Sequence, residues 1–244
     1  MKMWMSLQAA LRQVRYLLYP PKCVFCGEAL TGSDGFCAQC IEKLSFYERP
    51  VEGGGGTFYE RCYCALPYEG AVRRSLLHYK FYGKSAYAAA YAALLAGFLA
   101  GFDEVMAVDV VTWVPVSRLR RRERGYDQAE LLACALAARL GKPCRALLQK
   151  VRDSAPQPGK GKAQRRANVL GAFAAARGAH IAGEQILLVD DIFTTGATME
   201  ECARILKTEG AACVLGAAFA RTPLPKAHAC AAHGGEWLYF TEND

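Results

Sequence analysis

Hydrophobic positions along this chain fall into a few patterned runs. Ile186-Leu187-Leu188-Val189 is continuously apolar and is closed by Asp190-Asp191. A parallel strand covered on both faces has this composition, because neither face needs polar side chains. Met199-Glu200-Glu201-Cys202-Ala203-Arg204-Ile205-Leu206-Lys207 follows with apolar residues at helical spacing and Gly210 as a stop. Residues 108–116 read as a second buried strand and residues 212–221 as a third. Helices are predicted after Tyr68-Glu69-Gly70 through Leu76 and Leu77, over the Ala-rich run 85–100, and over 127–140, where Gly141-Lys142-Pro143 ends the pattern. Met3, Leu7, Leu11, Val14 and Leu18 predict an amphipathic helix before Pro20-Pro21, expected to pack on the rest of the chain. Strands alternating with helices give an α/β class: a mostly parallel sheet flanked by helices.

Cysteine spacing adds a second, smaller unit. Cys23-Val24-Phe25-Cys26 and Cys37-Ala38-Gln39-Cys40 are two Cys-x-x-Cys knuckles, the pattern of a zinc ribbon. Four thiolates close a tetrahedron and leave no position for water, so Zn2+ here is expected to be structural. The glycines at 53–56 read as a linker. The expected division is 1–52, the N-terminal helix and ribbon, and 57–244, the larger domain. Cys62-Tyr63-Cys64 lies in a strand-like stretch; its thiols are expected on opposite faces and are read as structural. His228, Cys230 and His233 have no firm ligand spacing and are read as surface residues.

Overall composition changes this picture little. The 244 residues are 52% hydrophobic, enough for a core, and carry a formal charge of +7, compatible with anionic ligands. No run approaches the ~20 apolar residues that span a bilayer. The start lacks a signal-peptide pattern, and several of the 11 cysteines fall in ordinary helix or strand, so a reducing cytoplasm is expected.

Candidate chemistry gathers where the strands end. Thr194, Thr195, Gly196, Ala197 and Thr198 lead from the 186–191 run into a helix. A helix N-terminus attracts an anion, and Gly196 permits close backbone approach. Asp190 and Asp191 are acceptors suited to hydroxyls or a metal. A ribose 5-phosphate matches both halves. Ser117-Arg118 opens an arginine-rich run at the end of the second strand, where ligands of doubly wound sheets sit. Lys80 and Lys84 are candidates to face an anion. Residues 152–168, rich in Gly, Pro and basic side chains, are expected to be a mobile lid.

Residues 186–198 resemble the signature of type I phosphoribosyltransferases, which bind phosphoribosyl pyrophosphate (PRPP). That resemblance implies that Asp190 and Asp191 hold the ribose hydroxyls, that Thr194 to Thr198 hold the 5′-phosphate, and that Ser117 and Arg118 face the pyrophosphate. The order of parts is narrower still. A ribbon is followed by Tyr68-Glu69-Gly70, His78-Tyr79-Lys80-Phe81-Tyr82-Gly83, Val114-Pro115-Val116-Ser117-Arg118, Arg122-Glu123-Arg124-Gly125-Tyr126-Asp127-Gln128-Ala129, then Gln157, Arg165 and Asn168. This is similar to the ComF family over roughly the whole chain. The family implies a bacterial role in natural competence, with Mg2+ accompanying PRPP and an acceptor substrate that the sequence does not name. The rival expectation is a non-catalytic, PRPP-sensing adaptor that binds single-stranded DNA or a competence helicase through the ribbon. Two departures stand out. The glycine run replaces a second ribbon, so one zinc is expected. Asp127 stands where the family has Asn, and its charge disfavours a phosphate contact.

Overall fold

The computed structural model describes residues 20–32, 35–52, 58–152 and 169–223. The expected N-terminal helix, the lid residues Gln157, Arg165 and Asn168, and His228, Cys230 and His233 lie outside the described residues. Strands are β1 (Val51–Glu52), β2 (Arg61–Pro67), β3 (Val110–Trp113), β4 (Leu148–Lys150), β5 (Phe173–Ala175), β6 (Gln185–Phe193) and β7 (Cys213–Arg221). Helices are α1 (Ala38–Ile41), α2 (Gly70–Phe81), α3 (Tyr87–Leu99), α4 (Asp103–Met106), α5 (Arg118–Arg124), α6 (Gln128–Leu140) and α7 (Ala197–Thr208).

Five strands form one sheet in the order β1-β2-β7-β6-β3. β2, β7, β6 and β3 run parallel, and only the short edge strand β1 is antiparallel. The expected mostly parallel α/β architecture is therefore present. Side chains of β6 alternate between two cores, as a strand covered on both faces requires. Leu187 and Val189 join Tyr63, Leu215 and Phe219 beneath α2, α3 and α6. Ile186 and Leu188 join Val110, Val214 and Ala218 beneath α7 and the β4–β5 pair. Tyr91 of α3 stacks on Phe219 at 4.2 Å between centroids and fills the middle of the first core. Among the described residues no helix is long and apolar enough to cross a membrane.

β4 and β5 form a separate antiparallel ribbon. It brings the two ends of the 153–168 connection side by side. Arg152 donates from Nη2 to the Leu170 carbonyl at 2.7 Å, and Val151 N donates to the Ala172 carbonyl at 2.9 Å.

The cysteine ribbon leans on the larger unit. Cys23, Val24 and Phe25 are buried within the first core, and Ser75 Oγ donates to the Val24 carbonyl at 2.5 Å. Gly35 has φ +80°, and a Cβ there would lie 2.6 Å from Ala90 Cβ, so the turn can sit on α3 only as glycine.

The expected placing of two thiols is corrected. Cys62 and Cys64 share a face, with sulfurs 3.9 Å apart, because residues two apart in a strand point the same way. Both are buried in the second core, where Gly216 of β7 makes room for Cys62. A Cβ at Gly216 would lie 2.9 Å from Cys62 Sγ and 3.1 Å from Met199 Sδ. Gly216→Val is therefore expected to destabilise the protein by about 1–3 kcal/mol through overpacking, read as a lowered midpoint in urea denaturation.

Candidate functional site

β6 ends in Asp190, Asp191, Ile192 and Phe193, and the chain turns through Thr194, Thr195 and Gly196 into α7. Strand alternation roots the two acids on opposite faces, although their carboxyl groups still interact. Asp190 lies on the side of the buried thiols Cys62 and Cys202, whose ionisation it opposes. Burial and the adjacent Asp191 carboxylate hold the Asp190 carboxyl well above its ordinary range, with Lys80 working in the opposite direction. Asp190 Oδ1 accepts from the Asp191 N–H at 2.8 Å. Asp191, 6% exposed, pairs through Oδ2 with Lys80 Nζ at 2.9 Å. Two residues singled out from the sequence on separate grounds thus meet.

Gly196 shapes the turn. Its φ is +78°, and a Cβ would lie 2.9 Å from Phe193 Cζ and 3.2 Å from Tyr59 Oη. Strain and crowding both reserve this position for glycine. No side chain caps α7 in the usual way. Thr195 Oγ1 reaches the Ala197 N–H only at 3.5 Å. The helix N-terminus therefore points its amides and positive dipole end at the turn, where an anion is favoured. Thr194 is exposed, and Thr195 and Thr198 are half-buried.

Carboxylates one turn further along α7 hold the flanks. Glu200 accepts from the Phe58 N–H through both oxygens, at 3.1 and 3.2 Å. Glu201 accepts from the Gly171 N–H at 2.8 Å and pairs with Arg204. The Arg204 hydrogen bond, opposed by burial, draws the Glu201 carboxyl below its usual range. The sequence pattern assigns these acids no role beyond the helix; their partners are distant in the chain and leave no local signal.

Past β3 the arginine run forms α5. Ser117 is its N-cap, accepting from Arg120 N at 3.3 Å, and its hydroxyl is buried. Arg118 is exposed at the first turn. Gly125 ends α5 at φ +81°. Asp127 then caps α6, with Oδ1 accepting from Ala129 N at 3.0 Å and Glu130 N at 3.2 Å. Its Oδ2 accepts from Val116 N at 3.0 Å. One buried carboxylate thus staples the start of α6 to the segment carrying Ser117 and Arg118. Burial raises the Asp127 carboxyl pKa against these hydrogen bonds. Sequence reasoning excluded Asp127 from ligand contact on charge grounds and missed this positioning role, for which an Asp directly before an apolar helical pattern was the available signal.

Two tyrosines tie α2 to the same region. Tyr79 Oη donates to the Gln128 carbonyl at 2.7 Å, and Tyr126 Oη donates to the Tyr79 carbonyl. Arg124 lies over the Phe81 ring at 5.0 Å. Lys80 is thereby held facing Asp191, while Lys84 is exposed. Away from this edge, the sulfurs of Cys23, Cys26, Cys37 and Cys40 lie within 4.8 Å of one another. A set of four thiols at this spacing suits zinc. It is the one such cluster among the described residues.

Two family models match separate stretches of the chain. Residues 127–229 match the phosphoribosyl transferase domain, and residues 14–53 match the double zinc ribbon domain, although this stretch holds four cysteines. Competence protein F of Haemophilus influenzae is 33% identical over 99 residues, covering 40% of this chain and 43% of that protein. DNA utilization protein YhgH of Salmonella typhimurium is 34% identical over 107 residues, covering 43% of this chain and 46% of that protein. The chain thus spans less than half the length of these curated relatives. Among solved structures, the glutamine PRPP amidotransferase of B. subtilis is 23% identical with a TM-score of 0.39, covering 63% of this chain and 32% of that one. The purine phosphoribosyltransferase of Pyrococcus horikoshii is 18% identical with a TM-score of 0.36, covering 57% and 75%. The two domain matches and the two curated relatives bear out the resemblance to the ComF family, and the expected phosphoribosyltransferase-type fold with a four-cysteine ribbon stands.

Asp127→Ala removes three backbone contacts and is expected to cost about 1–2 kcal/mol, the range for losing a helix cap. Asp127→Asn keeps an acceptor at the cap and should lose less. Urea denaturation of both variants checks the order; equal losses would contradict the capping role.

Proposed function

We propose that this chain binds Mg2+-PRPP across the carboxyl edge of its sheet. The observation that carries the reading is the uncapped N-terminus of α7, set directly after two carboxylates of which one faces a lysine. In this reading Thr194, Thr195, Gly196, Ala197 and Thr198 hold the 5′-phosphate through backbone amides and hydroxyls. Asp190 and Asp191 accept from the ribose hydroxyls. Arg118, the Ser117 hydroxyl and Lys80 lie toward the pyrophosphate, with Gln157 and Arg165 assigned to the covering loop. Oxygen donors such as Asp190 and Asp191 suit Mg2+, which takes one or two carboxylates together with substrate phosphates. Bound magnesium supplies counter-charge to the pyrophosphate.

The same groups serve transfer chemistry. An acceptor nucleophile attacks the anomeric carbon as the pyrophosphate oxygen leaves, and the leaving charge falls beside Lys80 and Arg118. The acceptor is left open. The names of the relatives, a competence protein and a DNA utilization protein, support a role in handling imported DNA inside the cell.

Calorimetric titration of Mg2+-PRPP into the wild type and the Asp190→Ala/Asp191→Ala double variant tests the ligand. Binding to the wild type and none to the well-folded variant is expected. Because Asp190 has a raised pKa, binding its ionised form releases a proton, so affinity is expected to strengthen as pH rises through that range. No heat with folded, metal-loaded wild type would reject the proposal.

A second reading, the adaptor, has an observation of its own. α5 exposes Arg118, Arg120, Arg121 and Arg122, and nearby Phe81 and Tyr82 are 61% and 67% exposed. Cationic side chains beside exposed rings suit single-stranded DNA, by phosphate pairing and base stacking. In this reading the DNA surface is α5 and the end of α2, and the ribbon is left for a protein such as an uptake helicase. Tyr82→Ala with Arg120→Ala is expected to weaken binding of a labelled oligonucleotide at least tenfold, and wild-type affinity should fall steeply with salt. Salt-independent binding, or no change in the variant, would remove this surface from consideration. Pyrophosphate release across a panel of acceptors separates the readings: release favours the transferase, and silence with PRPP still bound favours the adaptor.

A further inference from the structure

Cysteine sulfurs approach one another at several places, and one approach differs in kind. In the ribbon Cys26 and Cys37 are 3.8 Å apart, and in β2 Cys62 and Cys64 are 3.9 Å apart. Both are ordinary contacts between sulfur atoms. Cys134 Sγ and Cys144 Sγ are 2.7 Å apart, about 0.7 Å longer than the ~2.05 Å of a disulfide bond.

Rigid elements set this distance. Cys134 lies in the middle of α6, on its exposed face. Gly141 caps that helix at φ +66°, and the chain reverses there. Cys144 is then fixed against the sheet edge, since Val111 N donates to the Pro143 carbonyl at 2.9 Å and Arg145 N donates to the Val111 carbonyl at 3.0 Å. Neither cysteine belongs to the metal cluster or to the carboxyl-edge site. Cys134 is open to solvent, and Cys144 is half-buried behind it. Burial, the neighbouring Cys134 and the Glu130 carboxylate raise the Cys144 thiol pKa and keep it protonated. Glu130 itself pairs with Arg121 at 3.0 Å.

We infer that Cys134 and Cys144 form an oxidisable dithiol, a modification site that closes reversibly to a disulfide. With a hydroperoxide as oxidant, the Cys134 thiolate attacks one peroxide oxygen and expels hydroxide, giving a sulfenic acid. The Cys144 sulfur then attacks the Cys134 sulfur and expels the second hydroxide. Two thiols lose two electrons and two protons in all, and hydrogen peroxide becomes two waters. A small-molecule disulfide reaches the same product by two exchanges and leaves as two thiols. Reduction by a dithiol reverses the bond. The exposed member receives the oxidant and the shielded member resolves it, the arrangement of a redox-sensitive pair. Closing the bond brings the two sulfurs about 0.7 Å closer, and it fastens α6 to the segment bordering β3.

The test uses the full-length, metal-loaded protein with Cys134→Ser and Cys144→Ser variants. Each is titrated with hydrogen peroxide or oxidised glutathione, alkylated, and peptide-mapped without reduction, while metal release is followed with a chromogenic chelator. The wild type is expected to yield the Cys134–Cys144 cross-linked peptide before metal leaves the ribbon, and dithiothreitol should restore both thiols. Neither variant should give that peptide. Cys134 is exposed, so its serine variant tests the bond with the fold kept. Recovery of Cys134 and Cys144 as separately alkylated thiols, at oxidant levels that already strip the metal, would overturn the inference. So would a cross-link from Cys134 to any cysteine other than Cys144.

Discussion

Placing two adjacent carboxylates at the end of a buried strand is an electrostatic problem, and much of the carboxyl edge is arranged around it. Charged groups leave water at a large cost unless they are paired or hydrogen-bonded. Strand alternation roots Asp190 and Asp191 on opposite faces, yet their carboxyl groups still lie close enough to interact. Asp191 is matched by Lys80. Asp190 sits where burial and its neighbour favour the protonated form. Lys80 can do its part only if the end of α2 is fixed, and the bonds from Tyr79 to the Gln128 carbonyl and from Tyr126 to the Tyr79 carbonyl fix it. Those bonds in turn require α6 to start where Asp127 caps it. A ligand that brought its own hydroxyls, phosphates and metal would take over contacts that these side chains make among themselves.

The turn after β6 carries a mechanical role as well. Glu200 and Glu201 are neighbours on one helix, yet they anchor Phe58 and Gly171, residues far apart in the chain. The segments that follow the glycine run and the 153–168 connection are thus both registered to the first turns of α7. A change in how that helix presents its N-terminus would reach both. The cysteine ribbon is joined to the same body through Val24 and Gly35, so the region bearing the metal ligands and the sheet share one packed core.

Much of this was legible in the residues because it rests on local patterns. The run Ile186 to Val189 declared a strand covered on both sides, and the structure divides its side chains between two cores. The paired Cys-x-x-Cys knuckles declared their cluster. The turn from Thr194 to Thr198 announced a helix N-terminus. What escaped was relational. Nothing local says that Lys80 meets Asp191 from a distant part of the chain, or that Glu201 reaches back to Gly171. The arginine run shows no apolar periodicity, so its helix went unassigned, although Ser117 and Gly125 supply ordinary start and stop signals. The faces of Cys62 and Cys64 were misjudged although the two-residue period of a strand decides them.

The β4–β5 ribbon has a consequence for how this molecule can change over generations. Its pairing, with Arg152 bonded to Leu170, holds the ends of the 153–168 connection together whatever lies between them. With the ends already closed, the entropy of a longer connection grows only logarithmically, at roughly 0.6 kcal/mol for each doubling of length. Insertions and deletions there should be nearly neutral for folding. The fold thus confines variation in length to a connection whose ends are already paired, and leaves the strands and their acids undisturbed.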